Sequence, residues 1–534
     1  MVSIVSAITI LELLLLAGAL YIPGLLMYRL TLHPLAKYPG PLLGRVTDWY
    51  IVIRCLMGDR HIYLLELHKL HGPFVRFGPN RLSVNTAEGL HSIYGFNANT
   101  RKASYYSIFS KIFGGENMLT VVDPGAVSIK RKVISTALGD SSIKSMEEII
   151  LRNIRKFIHR LGDVDQSCET GSVSKEWSSP KNMIQWASYL AFDIMGDVCF
   201  SHSFGMLDGP ENHYLLETLP QGVNGINIGG WMPSLFRFKI GYVLLAKVAN
   251  GLKCYKALSE QQVARRLNRD NKIPVADVFS HLIEANETSL SKGQLAPFSP
   301  QDLVGESSLL IIAGSDTTGI TITTTIFYLL HNPYAYEKLK EEIRPLFRTL
   351  EEIRSGASLG SCTWLRACVD EALRMSPPMP GILPREVVDP GVHINGHVFP
   401  KGVELAVTHY ALHHNEDYYP DSFTYKPERW KAEPLTGETK EESANRVSLA
   451  RSAFCPFSVG SRACTGKGLA MKEVMITMAR IIWLYDMRLA PGEENRGRGG
   501  PGKGYGRHRS GEHQIIDMFV SKLDGPIVQF RQRI

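Results

Sequence analysis

Hydrophobic positions in this chain fall mostly into long runs of helical spacing, separated by short joints rich in Gly, Pro and Ser. Val2 to Met27 is almost wholly apolar and exceeds the ~20 residues a bilayer span needs. Pro39-Gly40-Pro41 then reads as a stiff hinge. Arg60 to Leu70 has the stripe of an amphipathic helix, and Phe74–Phe77 and Arg81–Val84 alternate about Gly78-Pro79-Asn80 as a strand–turn–strand unit. Asn85 with Glu88 three residues on predicts a capping box and a short helix toward Tyr94, whereas 96–122 reads as irregular. Asp123-Pro124 is a cap followed by proline at the first helical position, opening a helix through Leu138. Helical patterns follow at 141–161, 181–200 and 232–269, and 201–231 carries no clear pattern.

The longest pattern starts at Ser299-Pro300-Gln301-Asp302 and runs to about His331, which makes a helix of about 45–50 Å at 1.5 Å per residue. A further helix carries Glu371 and Arg374 and stops before Pro377-Pro378. Leu383–Glu386 and Val392–Val407, broken at Asn395-Gly396 and Pro400-Lys401-Gly402, read as short strands with turns. An apolar helical run covers Leu469 to Leu484, and Phe519–Phe530 reads as a hairpin turning at Asp524-Gly525-Pro526. The pattern as a whole predicts a mainly α chain with small β-sheets and no internal repeat.

With 534 residues, 44% of them hydrophobic and 21% charged, the composition is that of an ordinary globular protein. A net charge of +7 is small for this length and gives no reason to expect a nucleic-acid partner. The Gly/Arg-rich tract 493–511 reads as a solvated loop rather than an RNA-binding segment. No Lys or Arg precedes the apolar N-terminus, whereas Arg29, Lys37 and Arg45 follow it, so the positive-inside rule keeps the main domain cytosolic. A cleaved signal peptide, ending near Ala17-Gly18-Ala19, is the alternative. The eight cysteines form no C-x-x-C pair, so neither a zinc site nor a disulfide framework is indicated.

One cysteine stands apart. Phe457-Ser458-Val459-Gly460-Ser461-Arg462-Ala463-Cys464-Thr465-Gly466 reads F-x-x-G-x-R-x-C-x-G and leads directly into the 469–484 helix. A thiolate just before a helix N-terminus is favoured by free N–H groups and the macrodipole. Such a thiolate suits axial ligation of heme iron, and Arg462 can meet a heme propionate. Within the 299–331 pattern, Ala313-Gly314-Ser315-Asp316-Thr317-Thr318 places two small residues beside an acid and hydroxyls. That grouping suits a proton relay, although a helix bend eased by Ser/Thr back-bonding is the plainer alternative.

These two stretches, with Glu371-x-x-Arg374 and the later Phe423–Trp430 containing Arg429, resemble the motifs of the cytochrome P450 family in the family's order. The resemblance covers nearly the whole chain. It implies a transmembrane anchor at 1–28, a proline-rich hinge at 29–45 and one heme-thiolate monooxygenase domain at 46–534. It also implies heme b with Cys464 as the iron's axial ligand, and propionates held by Arg131, Arg385 and Arg462. On the same resemblance Phe457 would lie against the cofactor, Asp316 and Thr317 would relay protons, and Glu371, Arg374 and Arg429 would form a buried structural triad. An NADPH-cytochrome reductase would deliver electrons to the enzyme in the endoplasmic reticulum membrane. One oxygen atom of O2 would enter a lipophilic substrate, in the manner of fungal secondary metabolism.

The sequence departs from the family at Val127, where a Trp or His donor usually precedes Arg131 by four residues. His409 and His413, spaced i, i+4, fall in a segment the family uses structurally, so no separate metal is expected there. On the oxygen-activating helix, Leu309, Leu310 and Glu306 are expected to continue the Ala313/Thr317 face, with Glu306 turned to solvent rather than to a polar group of the substrate, and Ile382 and Leu383 to approach it. A heme-thiolate isomerase or dehydratase, or a membrane-tethered heme sensor, are the other readings. The Asp316-Thr317 pair argues against both.

Overall fold

The computed structural model describes residues 2–163, 176–232, 246–268 and 277–533. Its centre is the helix Pro300–His331, 32 residues long. The start is a complete capping box: Ser299 Oγ accepts the Asp302 N–H and the Asp302 carboxylate accepts the Ser299 N–H, each at 3.1 Å. This helix is apolar enough to cross a membrane, yet 72% of its most apolar window is buried inside the protein, which makes it a core element. Helix Met183–Phe200 packs along it at very close range. A Cβ on Gly314 would lie 2.3 Å from Met195 Sδ, and one on Gly319 would lie 3.0 Å from Ser188 Oγ. Gly314 is therefore small because a neighbouring helix crosses there.

Helix Thr363–Met375 carries the structural triad. Arg374 donates to both oxygens of Glu371 at 2.9 Å, and Arg429 Nε reaches Glu371 at 3.2 Å. Lys426 N–H and Trp430 Nε1 each add a hydrogen bond at 3.0 Å, so the buried carboxylate is surrounded by donors. A charge taken out of water requires such complete pairing.

The five-stranded sheet has the order Phe74–Gly78, Arg81–Val84, Glu404–Ala406, Arg385–Val387, Thr100–Lys102. Its last strand falls in the stretch expected to be irregular, which also forms a short helix at Ser107–Phe113. A helix also occupies Leu215–Gly230, with Pro220 inside it. The expected 232–269 helix lies partly outside the described residues; Ala246–Leu267 is helical. The closing hairpin is placed differently from the expectation. Ile516–Met518 turns back at Phe519 to pair with Val520–Lys522, while Ile527–Gln532 pairs with Tyr485–Leu489 and Lys181–Asn182. At the short helix Ala87–Tyr94 the cap is Thr86, whose hydroxyl accepts the Gly89 N–H, and Glu88 bonds Asn395 instead.

At the N-terminus, helix Val2–Met27 continues through a π-turn, Tyr28–Leu32, into a strap tied down by arginines. Arg76 donates to the Arg29 carbonyl at 2.7 Å, Arg45 donates to the Ala36 carbonyl at 3.0 Å, and Arg76 N–H reaches the Pro39 carbonyl at 2.7 Å. The Gly/Arg-rich tract is likewise held rather than simply solvated. Arg509 stacks over Phe423 at 3.7 Å and Arg507 donates to the Ile515 carbonyl at 2.8 Å.

Candidate active site

The cysteine loop is shaped by a left-handed residue at each of two corners. Ser458 has φ +56° and Gly460 φ +72°. A Cβ on Gly460 would fall 2.0 Å from the Tyr94 carbonyl oxygen, so no other residue fits there. The Cys464 N–H closes the loop onto the Phe457 carbonyl at 2.9 Å, and helix Lys467–Leu484 starts three residues later. Cys464 keeps an accessible thiol. Surrounding atoms nevertheless raise its pKa by desolvation, and the Gly466 and Lys467 N–H groups with the Arg131 charge oppose that rise. A coordinating metal ion deprotonates such a thiol outright. Cys455, the nearby alternative, is buried with its N–H bonded to His413 Nε2 at 3.0 Å, and burial pushes its thiol well up. His413 is thus occupied as a backbone acceptor, and His409 bonds the Met379 carbonyl at 3.1 Å.

In the middle of the central helix, Ala313 is exposed and Leu309, Gly314, Asp316 and Thr317 are half-buried, although most of the surrounding turns are sunk in the core. Leu309, Ala313 and Thr317 lie four apart, so the accessible track follows one face, as in a helix that lines an internal cleft. Thr317 Oγ1 donates to the Ala313 carbonyl at 2.7 Å, leaving its lone pairs free to accept a proton donor from the cleft. Asp316 lines a cavity of about 380 Å³ with Gln185, Ser188, Glu217, Gln221 and Lys522, and burial pushes its pKa up to about 7.

Two expectations fail here. Leu310 is buried rather than on the cleft face, and Glu306 is fully buried rather than solvent-facing. The loop 115–120 packs onto the helix there, with Asn117 Nδ2 bonded to the Gly305 carbonyl at 3.1 Å, and burial pushes Glu306 up to about 8. Leu383 stays half-buried while Ile382 is buried and bridges Thr408.

A second cavity, of about 450 Å³, collects the basic residues. Arg131, Arg385, Arg462 and Val127 line it, together with Lys102, which the sequence reading did not single out. Arg131 Nη1 donates to the Ala463 carbonyl at 2.9 Å, next to the thiol residue, and Arg462 Nη2 donates to the Val122 carbonyl at 3.2 Å. Nη1 of Arg385 and Nη1 of Arg462 are buried without any hydrogen-bond partner. Burial, then the charges of Arg385 and Arg131, push Arg462 down to about 10. Among the described residues none of the three arginines pairs with a carboxylate, so the cavity is built for an anion the chain does not supply. Phe457 is half-buried against the main core with Lys467 Nζ 5.7 Å from its ring centre.

Helix Lys467–Leu484 also buries Glu473 beside Thr318, with neither carboxylate oxygen hydrogen-bonded, and burial raises it to about 8. Between pH 4.5 and 8 the native state holds this proton while the unfolded chain releases it, so stability falls as pH rises through that window. The urea midpoint is expected to drop from pH 5.5 to 8, and Glu473→Gln to flatten the drop by up to about 1.4 kcal/mol per pH unit. Parallel pH profiles for the two proteins would contradict this.

The chain matches the family model described as Cytochrome P450 over residues 41–499. It is 35% identical to "Cytochrome P450 monooxygenase apf7" of Gibberella fujikuroi over 95% of both chains. It is 34% identical to "Cytochrome P450 monooxygenase AKT7" of Alternaria alternata, covering 96% of this chain and 95% of that protein. Identity to "Cytochrome P450 monooxygenase poxM" of Penicillium oxalicum is also 34%, over 96% and 93%. The chain belongs to the cytochrome P450 family and is a heme-iron monooxygenase that uses O2, a reductase partner and a small-molecule substrate.

Proposed function

We propose that Cys464 is the axial thiolate of heme b, that Arg131, Arg385 and Arg462 hold its propionates, and that Asp316 and Thr317 deliver protons. The observation that carries this is the anion cavity: three guanidiniums converge beside the Cys464 loop, those of Arg385 and Arg462 with an unpaired buried Nη1, and among the described residues none has a carboxylate of its own. The residues fit a flat group bearing two carboxylates and a thiolate-binding metal. Heme bound there supplies the iron centre for reductive cleavage of O2.

The chain's own residues do the rest. The accessible face Leu309–Ala313–Thr317 gives the substrate an apolar wall, which favours a lipophilic molecule. Thr317 holds a proton donor in place by accepting its hydrogen bond. Asp316, able to gain and lose a proton near neutrality, passes protons from the polar cavity toward Thr317.

Electrons come from NADPH through a cytochrome reductase. Helix Val2–Met27, with Leu16, Leu20, Ile22 and Met27 exposed, anchors the enzyme in the endoplasmic reticulum membrane with residues 46–534 in the cytosol. The basic residues after the helix support that orientation. The Gibberella, Alternaria and Penicillium relatives support a place in fungal secondary-metabolite biosynthesis.

Thr317→Ala tests the relay. The variant should keep heme and bind substrate while the share of NADPH electrons reaching product falls about 10²-fold and hydrogen peroxide rises. NADPH, peroxide and product are measured on one preparation. Wild-type coupling in the variant would remove Thr317 from the relay.

A further inference from the structure

Three arginines meet where the N-terminal helix enters the folded domain. Arg29 lies in the π-turn Tyr28–Leu32, Arg45 on the short helix Leu42–Val46 and Arg76 on the edge strand Phe74–Gly78. Each donates to main-chain carbonyls. Arg76 Nη1 reaches the Arg29 carbonyl at 2.7 Å and its Nη2 the Pro79 carbonyl at 2.6 Å. Arg45 Nη2 reaches the Ala36 carbonyl at 3.0 Å and the Leu30 carbonyl at 3.3 Å, and Arg29 Nη1 donates to the Val46 carbonyl. Among the described residues none of the three pairs with a carboxylate, although Arg76 is fully buried. Nε of Arg76 and Nε of Arg45 are buried without a hydrogen-bond partner. The positive charges also crowd one another. Burial, then Arg45 and Arg29, push Arg76 down to about 10, and burial, then Arg76 and Arg29, lower His33. Buried cations need a counter-charge, and here the chain supplies none.

The surroundings indicate which anion fits. Met27, Tyr28 and Leu32 beside Arg29, and Leu42 and Leu43 beside Arg45, are exposed, so the cluster has an apolar rim at the end of a 26-residue apolar helix. Arg29 and Arg45 are themselves half-buried, which leaves an edge open to a ligand. Free phosphate has no use for an apolar rim, whereas a lipid headgroup carries its acyl chains with it. We propose that Arg29, Arg45 and Arg76 bind the phosphate of an anionic phospholipid, which supplies at headgroup level the counter-charge this junction lacks. This rests on the reading of Val2–Met27 as a membrane anchor. The bound lipid joins the turn that leaves the anchor, the strap and the sheet edge, and so holds the catalytic domain against the bilayer.

The full-length holoenzyme in a neutral detergent is titrated with labelled phosphatidylinositol, and bound lipid is counted after gel filtration. Saturable binding is expected, with no competition from phosphatidylcholine, which has no net charge. Arg45→Gln and Arg76→Gln each remove the charge while keeping an amide donor, and each should weaken binding about tenfold or more, as for loss of a charged hydrogen bond. Arg45→Gln, at the half-buried position, carries the test should the buried Arg76 variant not fold. Lys37→Gln removes the same charge from an exposed position on the strap and should cost less than about fivefold. Wild-type binding in the arginine variants, or an equal loss in Lys37→Gln, would overturn the site. Displacement of the lipid by an equal concentration of inorganic phosphate would overturn the choice of a lipid. A full-length chain that fails to insert into phosphatidylcholine vesicles would instead overturn the anchor reading beneath it.

Discussion

Glu371→Ala is expected to leave almost no folded, heme-loaded protein. Glu371 is fully buried and receives four side-chain hydrogen bonds, from Arg374 twice, Arg429 and Trp430, plus the Lys426 N–H. Burial alone would raise its pKa, but Arg374 and then Arg429 hold it below the ordinary value. Removing the carboxylate strands two buried guanidiniums without a counter-charge, which costs about 3–5 kcal/mol. A domain has only about 5–15 kcal/mol in total. Truncation should therefore lower the urea midpoint sharply and cut the yield of soluble holoprotein. Glu371→Asp, shorter by one methylene, should recover part of it. An unchanged midpoint for Glu371→Ala would mean the triad is not what ties Thr363–Met375 to the Phe423–Trp430 segment.

That triad could be read in the chain because each member sits in a motif whose chemistry is local: a carboxylate and a guanidinium at i, i+3, then Arg429 beside Trp430. The cysteine loop was legible for the same reason, since Gly460 and Cys464 carry their geometric requirement in their residue types. So was the start of the central helix, where Ser299, Pro300 and Asp302 each do one capping task. The strand Thr100–Lys102 was not. Three residues with two adjacent charges give no alternation to detect, and the partner strand lies some 285 positions away. Lys102 was missed with it, because only pairing turns its side chain inward.

Helix Leu215–Gly230 was obscured by Pro220 and its glycines, which argue locally against a helix that tertiary packing stabilises. The final hairpin was misplaced because Phe519, not a glycine, takes the positive φ of +76° at its tip. Glu306 was read as solvent-facing because acids usually are. What buries it is the 115–120 loop, in which Gly115 lies so close to the helix that a Cβ would fall 1.9 Å from the Gln301 carbonyl oxygen. Gly314 shows the converse case: a residue read as part of the relay grouping is small because Met195 passes it at close range.

The central claim is that Cys464 alone supplies the thiolate. Its thiol is accessible, the Gly466 and Lys467 N–H groups and Arg131 favour its charged form, and the propionate-binding arginines proposed here lie beside its loop. Cys455, nine residues earlier, is enclosed and its backbone is committed to His413. Cys464→His should therefore remove the thiolate signature and oxygenation together, with the rate of product formation falling below detection, whereas Cys455→Ser should retain both. The direct measurement is the absorption spectrum of the reduced protein with carbon monoxide. The account predicts the red-shifted band of thiolate-ligated heme in the wild type and in Cys455→Ser, and its complete loss in Cys464→His. Persistence of that band in Cys464→His would contradict the assignment on which the site is built.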